Sequence, residues 1–132
     1  MYNMRMVADT STFLAVALNE PEKERLTELV RGHELIAPAV LPYELGNALT
    51  AMLKRKRLNR GEVLATWEVM GRIAVELHDV DVRAALQIAT SFEIYAYDAY
   101  FIQCSISHQA PLVTLDKGMK RVAAEVGLEI LE

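Results

Sequence analysis

Stretches of strand character alternate with stretches of helical period along this chain, and that alternation leaves few folds open. Met4 to Ala8 is short and mostly apolar, and it ends at Asp9-Thr10-Ser11-Thr12, a run of helix-capping residues ahead of the apolar Phe13 to Leu18. Residues 21–31 place Leu26, Leu29 and Val30 on one side and Glu22, Lys23, Glu24 and Arg25 elsewhere, a surface-helix pattern that stops before Gly32. A short strand, Leu35 to Ala37, follows. From Pro42 to Arg57 the residues Leu45, Ala48, Leu49, Met52 and Leu53 recur at helical spacing, and Pro42 suits a first helical position. Further helices are expected over 60–72, 82–91 and 98–108, with a strand over 73–77. The end reads as a strand over 111–115, a helix over 117–126 and a last strand over 128–131 after Gly127.

Interleaving of this kind predicts a three-layer α/β/α sandwich around a mostly parallel five-stranded sheet, because parallel neighbours need crossover connections that place helices on the sheet faces. The 132 residues suffice for one core and not two, so residues 1–132 are expected to form a single domain. At 52% hydrophobic and 24% charged residues the composition is that of an ordinary globular protein. The single cysteine, Cys104, has no internal partner, and no Cys or His cluster has zinc-site spacing. Residues 1–6 carry no signal-peptide hydrophobic region and no apolar run is long enough to span a bilayer, so a cytoplasmic location without membrane contact is expected.

The acids fall in a pattern. Asp9 and Asp116 each follow a strand directly, so both lie at the carboxyl edge of a parallel sheet. Glu44 sits in the first turn of the helix after the second strand and starts from that edge too. Asp98 opens a helix that descends about 16 Å before the next strand climbs about 13 Å, which returns Asp116 towards it. The direction of the helix over 82–91 is left open by this reasoning. Ligand sites of open α/β sheets lie beyond the carboxyl ends of the strands, where strand order reverses.

Four carboxylates in one place repel one another, by about 4 kcal/mol for a pair 4 Å apart at an effective dielectric of 20. Protons or cations must neutralise them. An all-oxygen donor set selects hard ions, Mg2+ or Mn2+, and such ions suit phosphate-ester chemistry. The formal net charge of −4 argues against a protein that coats nucleic acid through a broad basic surface. A nuclease stays open, because bound divalent ions would reverse the sign where a phosphate arrives.

Each acid also has an ordinary explanation. Asp9 and Asp116 suit helix caps, and Glu44 and Asp98 complement a helix dipole; only their joint placement on one rim points further. His33, His78 and His108 are isolated in sequence and receive no role. The run Lys54-Arg55-Lys56-Arg57 with Arg60 suits a helix end and solvent better than an RNA contact. Tyr95, Tyr97, Tyr100 and Phe101 suit core or interface packing better than base stacking. A receiver-type phosphoacceptor would need an acidic pair after its first strand, where Thr10-Ser11 follow Asp9, and a haloacid-dehalogenase-like phosphatase would need Asp at position 11, which is Ser.

Four motifs stand in order along the chain: Val7-Ala8-Asp9-Thr10-Ser11, Pro42-Tyr43-Glu44-Leu45-Gly46-Asn47-Ala48-Leu49, Tyr97-Asp98-Ala99-Tyr100-Phe101 and Leu112-Val113-Thr114-Leu115-Asp116-Lys117. With them the sequence resembles the PIN-domain family, and within it a VapC-type toxin of a prokaryotic toxin–antitoxin pair. The resemblance implies that Asp9, Glu44, Asp98 and Asp116 bind metal, with Asp9 and Asp98 the firmest ligands, and that Ser11, Asn47 and Thr114 orient the carboxylates or a bound water. It implies a Mg2+- or Mn2+-dependent endoribonuclease, a homodimer that can pair into tetramers, and a VapB-type antitoxin that blocks the acidic groove. The alternative is a catalytically silent PIN-like module that binds RNA or a protein partner, since an intact acid set permits catalysis without proving it.

Overall fold

The strands most central to the sheet are runs of apolar residues with no polar alternation, which suits strands covered on both faces. A computed structural model describes residues 4–132; Met1, Tyr2 and Asn3, part of the segment read above as lacking a signal peptide, lie outside the described residues. Five strands, β1 (Arg5–Ala8), β2 (Glu34–Pro38), β3 (Glu76–His78), β4 (Leu112–Val113) and β5 (Ile130–Leu131), pair in the order β3-β2-β1-β4-β5. All four pairings are parallel, with Val7 opposite both Ile36 and Leu112. Met6, Val7, Ala8, Ile36, Ala37, Leu112 and Val113 are buried.

Among the described residues seven helices cover the sheet: α1 (Thr10–Ala17), α2 (Lys23–Val30), α3 (Leu41–Lys54), α4 (Arg60–Met70), α5 (Val82–Phe92), α6 (Ala96–His108) and α7 (Lys117–Glu125). On one face Ala8 and Leu35 meet Phe13, Leu26 and Val30 of α1 and α2, and α3 and α4 pack beside α1. On the other, α6 lies across β1 and β2 with α5 and α7 against it. The expected three-layer sandwich is therefore present. Because order runs outward from β1 in both directions, the topological switch point falls between β1 and β4.

Local chemistry sets the helix ends. Asp9, Asp81 and Asp116 are N-caps whose side chains accept from the amides of Thr12, Ala84 and Met119. Asn59 and Glu62 close a reciprocal capping box at α4. The helices α5 and α6 approach closely because Ala85, Ala89 and Ala99 line their seam. Phe101, Ile102 and Cys104 of α6 are buried against the sheet, and burial pushes the Cys104 thiol up to about 11, an effect that nearby Arg5 only partly offsets.

Several boundaries differ from the sequence reading, each for a physical reason. The strand expected over 73–77 is shifted to Glu76–His78, since only those residues reach the β2 register at this sheet edge; Ile73 and Val75 still pack on the core. The strand expected to reach Leu115 stops at Val113, because Thr114 and Leu115 turn their polar groups to Asp9 and Ser11. Helix α6 begins two residues before Asp98. The aromatic cluster divides: Phe101 is 1% exposed, whereas Tyr95 and Tyr97 are 83% and 47% exposed, so neither belongs to the core. His78 and His108, distant in sequence, stack with ring centroids 4.4 Å apart and share their surroundings with Arg5 and Glu76.

Truncating Phe101 to Ala should cost about 3–5 kcal/mol, the range for a fully buried aromatic, whereas Val82→Ala, exposed on α5, should stay within about 0.5 kcal/mol of the parent. Urea unfolding midpoints check both, and equal midpoints would contradict the assignment of α6 to the core.

Candidate metal centre

Asp9 follows β1 at the switch point and is 3% exposed. A carboxylate buried to that degree must be supplied with donors. Ser11 Oγ donates to it, lying 2.8 Å from Oδ1 and 3.0 Å from Oδ2. The Thr12 amide donates to Oδ1 at 3.1 Å, and the Thr12 hydroxyl shares its proton between Oδ1 at 3.0 Å and the Val113 carbonyl at 3.1 Å. Thr114 Oγ1 donates to Oδ2 at 2.6 Å. Burial raises the Asp9 carboxyl above the ordinary aspartate range, and the bonds from Thr114, Ser11 and Thr12 offset only part of that rise.

The same hydroxyls tie the neighbouring loop to the site. Thr114 Oγ1 accepts from the Asp116 amide at 3.0 Å, and Ser11 Oγ accepts from the Leu115 amide at 3.2 Å. Asp116 is exposed, and its Oδ1 accepts from Met119 at the start of α7. Ser11 and Thr114 thus stand where the sequence reading put supporting polar groups. Asn47, the third, is exposed on α3, and among the described residues its side chain bonds to none of the four acids.

Glu44 lies in the first turn of α3 and is half-buried. Its Oε2 is buried with no hydrogen-bond partner, and so is Thr10 Oγ1. Burial pushes the Glu44 carboxyl up to about 7; Thr10 lies near enough to offset part of this without completing a bond of normal geometry, while Asp98 and Asp9 add repulsion. Asp98, in the first turn of α6, is raised to about 6 by burial and then by Asp116 and Asp9. Asp9 and Asp98 act on Glu44, and Asp9 and Asp116 act on Asp98, so the acids share a single rim, and α6 starts at that rim as the placement of Asp98 requires.

Convergence is looser than the sequence reading expected. Among the described residues, no group of three or more His, Cys, Asp or Glu side chains closes tightly enough to hold an ion as it stands. Asp9 is engaged by its hydroxyl donors and Asp116 by the amide at the start of its helix. No Lys, Arg or His among the described residues forms an ion pair with any of the four. The rim's donors are all oxygens, and the unpartnered Glu44 Oε2 marks where one is unsatisfied, so the residues fit a hard divalent ion.

Two contributors were missed from sequence. Thr12 was read as a cap residue, although its hydroxyl joins Asp9 to β4; Thr10 was read likewise, although it stands beside Glu44. The signal was present in the unbroken run Asp9-Thr10-Ser11-Thr12, where every hydroxyl lies within one helical turn of the acid. An apolar cleft of about 290 Å³ between Phe13, Leu41, Leu45, Trp67 and Met70 includes none of the four acids.

A family model described as PIN domain matches residues 6–125. The chain belongs to the PIN domain family. Among solved structures, this PIN domain is similar to PAE2754 from Pyrobaculum aerophilum, at 22% identity and a TM-score of 0.67, over 92% of this chain and 87% of that one. It is also similar to a chain in the structure of VapBC2 from Rickettsia felis bound to a DNA fragment from their promoter, at 16% identity and a TM-score of 0.68, over 98% of each chain. At such identities both are likenesses of fold. Comparison with curated protein sequences gave no match.

The raised carboxyls make a stability prediction whose sign is fixed. Glu44 shifts from 4.5 to about 7 and Asp98 from 3.8 to about 6, so the folded PIN domain holds protons that the unfolded chain has released. Stability of the metal-free protein should fall as pH rises through that window. Urea midpoints in EDTA across this range should show the fall, and Glu44→Gln should flatten it. A variant whose midpoints track the parent's at every pH would contradict the placement of Glu44.

Proposed function

We propose that this PIN domain is a Mg2+- or Mn2+-dependent endoribonuclease that hydrolyses RNA phosphodiester bonds, acting as the toxin of a VapBC-type toxin–antitoxin pair. The observation that carries the reading is the unmet charge at the switch point: four carboxylates sharing a rim, one with a buried oxygen left unpartnered. Asp9, Glu44, Asp98 and Asp116 would hold the ion. Bound there, it supplies a Lewis acid for the phosphoryl oxygens and lowers the pKa of an attacking water.

The chain's own residues prepare that chemistry. Ser11 and Thr114 fix both Asp9 oxygens in place, so the firmest ligand is oriented before any ion arrives. Glu44, raised to about 7, and Asp98, raised to about 6, bind metal only after releasing their protons, which makes ion affinity rise with pH through that range. In this reading Asn47, one turn along α3 from Glu44 and exposed, would orient a water or a substrate oxygen.

A VapB-type antitoxin and a second copy of the chain, up to a dimer of dimers, are the protein partners of this reading. Exposed apolar side chains give them something to cover, Leu64 and Trp67 on α4 and Val82 and Leu86 on α5, and the likeness to VapBC2 is in keeping with it. Among the described residues no helix is long and apolar enough to cross a membrane; the reading places the protein in the cytoplasm.

Incubation with mixed RNA and Mg2+ or Mn2+ should give cleavage that EDTA abolishes. Asp9→Asn should lower the rate by more than the roughly 10–100-fold that loss of a supporting group costs a metal site. Cleavage that persists in EDTA would remove the metal mechanism, and no cleavage by the parent with either ion would favour the silent binding module. Expression of the chain alone should arrest growth, and a folded Asp98→Asn variant should relieve the arrest; equal toxicity would contradict the role given to Asp98.

A further inference from the structure

The turn between α3 and α4 concentrates positive charge that nothing in the fold consumes. Lys54, Arg55, Lys56, Arg57 and Arg60 are all exposed, and no acid occurs between Glu44 and Glu62. The Glu62 carboxylate is already taken, accepting from the Asn59 amide at 2.9 Å. Among the described residues none of the five cations forms an ion pair, whereas Arg5, Arg31 and Lys120 each have a carboxylate within 4.0 Å. Along α2 and its C-cap, by contrast, Lys23, Arg25 and Arg31 alternate with Glu24 and Glu28.

A helix C-terminus welcomes cations, and that explains Lys54 and Arg55. It does not explain Arg60, the first residue of α4, where the positive end of the helix opposes a cation. Nor does it explain Lys56, which occupies the left-handed region at φ 59°, where Gly or Asn would sit with less strain. The turn is also held rigid. The amides of Arg55, Lys56 and Arg57 donate to the carbonyls of Ala51, Leu53 and Met52 at 3.1, 3.0 and 2.9 Å. Leu58 packs on the core, and the Asn59–Glu62 box fixes the other side.

We propose that this turn docks the phosphate backbone of the RNA substrate at a distance from the acid rim, an inference that rests on the ribonuclease reading above. A chain of net charge −4 with four acids at its reactive edge repels a polyanion there. A bound divalent ion reverses that sign only where a phosphate meets it, so the rest of the strand gains from cations placed elsewhere. Lys54 lies ten residues along α3 from Glu44, about 15 Å away, a span that a few nucleotides of extended single strand cover. One rod thus carries an acid at one end and the phosphate anchor at the other, and a strand of several nucleotides can engage both. An isolated acidic peptide has no comparable reason to span them, so RNA is the occupant the geometry favours.

The test neutralises three charges together, Arg55→Gln, Lys56→Gln and Arg57→Gln, in an Asp98→Asn background so that bound RNA stays intact. Fluorescence anisotropy follows a labelled single-stranded 20-nucleotide RNA against NaCl concentration, with ordinary melting as the check on folding. The slope of log affinity on log salt should drop by about two, from the roughly 0.7 per phosphate contact of a single strand. Arg55→Lys with Arg57→Lys should leave it unchanged. With Asp98 intact, the neutralised protein should cut the 20-nucleotide RNA with KM raised about tenfold and cut a dinucleotide, too short to reach the turn, as the parent does. An unchanged slope with RNA still bound overturns the inference alone, as does loss of binding to polyglutamate but not to RNA, which would assign the turn to an acidic protein partner. A parent that binds no RNA at all overturns the ribonuclease reading and this inference together.

Discussion

A carboxylate buried at the point where strand order reverses is the constraint around which the rest of the fold is arranged. Removing Asp9 from water costs several kcal/mol unless donors replace it, and the chain supplies them from two places far apart in sequence. Ser11 and Thr12 come from the helix that Asp9 itself caps, and Thr114 comes from the end of β4. That demand shortens β4, because Thr114 and Leu115 must leave the ladder to serve it. It also links the cap of α1 to the cap of α7, since the hydroxyl that donates to Asp9 accepts from Asp116.

The opposite demand governs Glu44 and Asp98. Both are half-buried, both are held by the start of a helix, and neither receives the donors that Asp9 receives. Burial and like charge disfavour their ionisation, and only Thr10 beside Glu44 offsets any of it. One rim therefore holds a fully supported acid beside under-supported ones, and a divalent cation is the ligand that would turn the second kind into the first.

Much of this was legible in the sequence. The interleaving of periods gave the three layers, and the acids were legible because each stands directly after a strand or in the first turn of a helix, where topology alone fixes the edge. What was not legible depended on tertiary proximity. Thr12 reads as a cap in one dimension and as a bridge to Val113 in three. His78 and His108 meet only because α6 lies over β3's neighbours, and Tyr95 and Tyr97 face solvent because the apolar work of that segment falls to Ala99, Phe101 and Ile102. Strand limits failed where hydrophobicity outran pairing, as with Ile73 and Val75. The spacing of the acids was not legible either, because sequence position conveys which edge an acid occupies and not how closely the side chains approach.

The lone cysteine acquires a use from its position. Cys104 lies on the buried side of the helix whose first turn carries Asp98, and its thiol remains protonated there. A thiol in that state is unreactive until the helix lifts from the sheet. The rate at which an alkylating reagent modifies the native chain therefore reports how often the Asp98 helix opens, through a reporter the protein already contains.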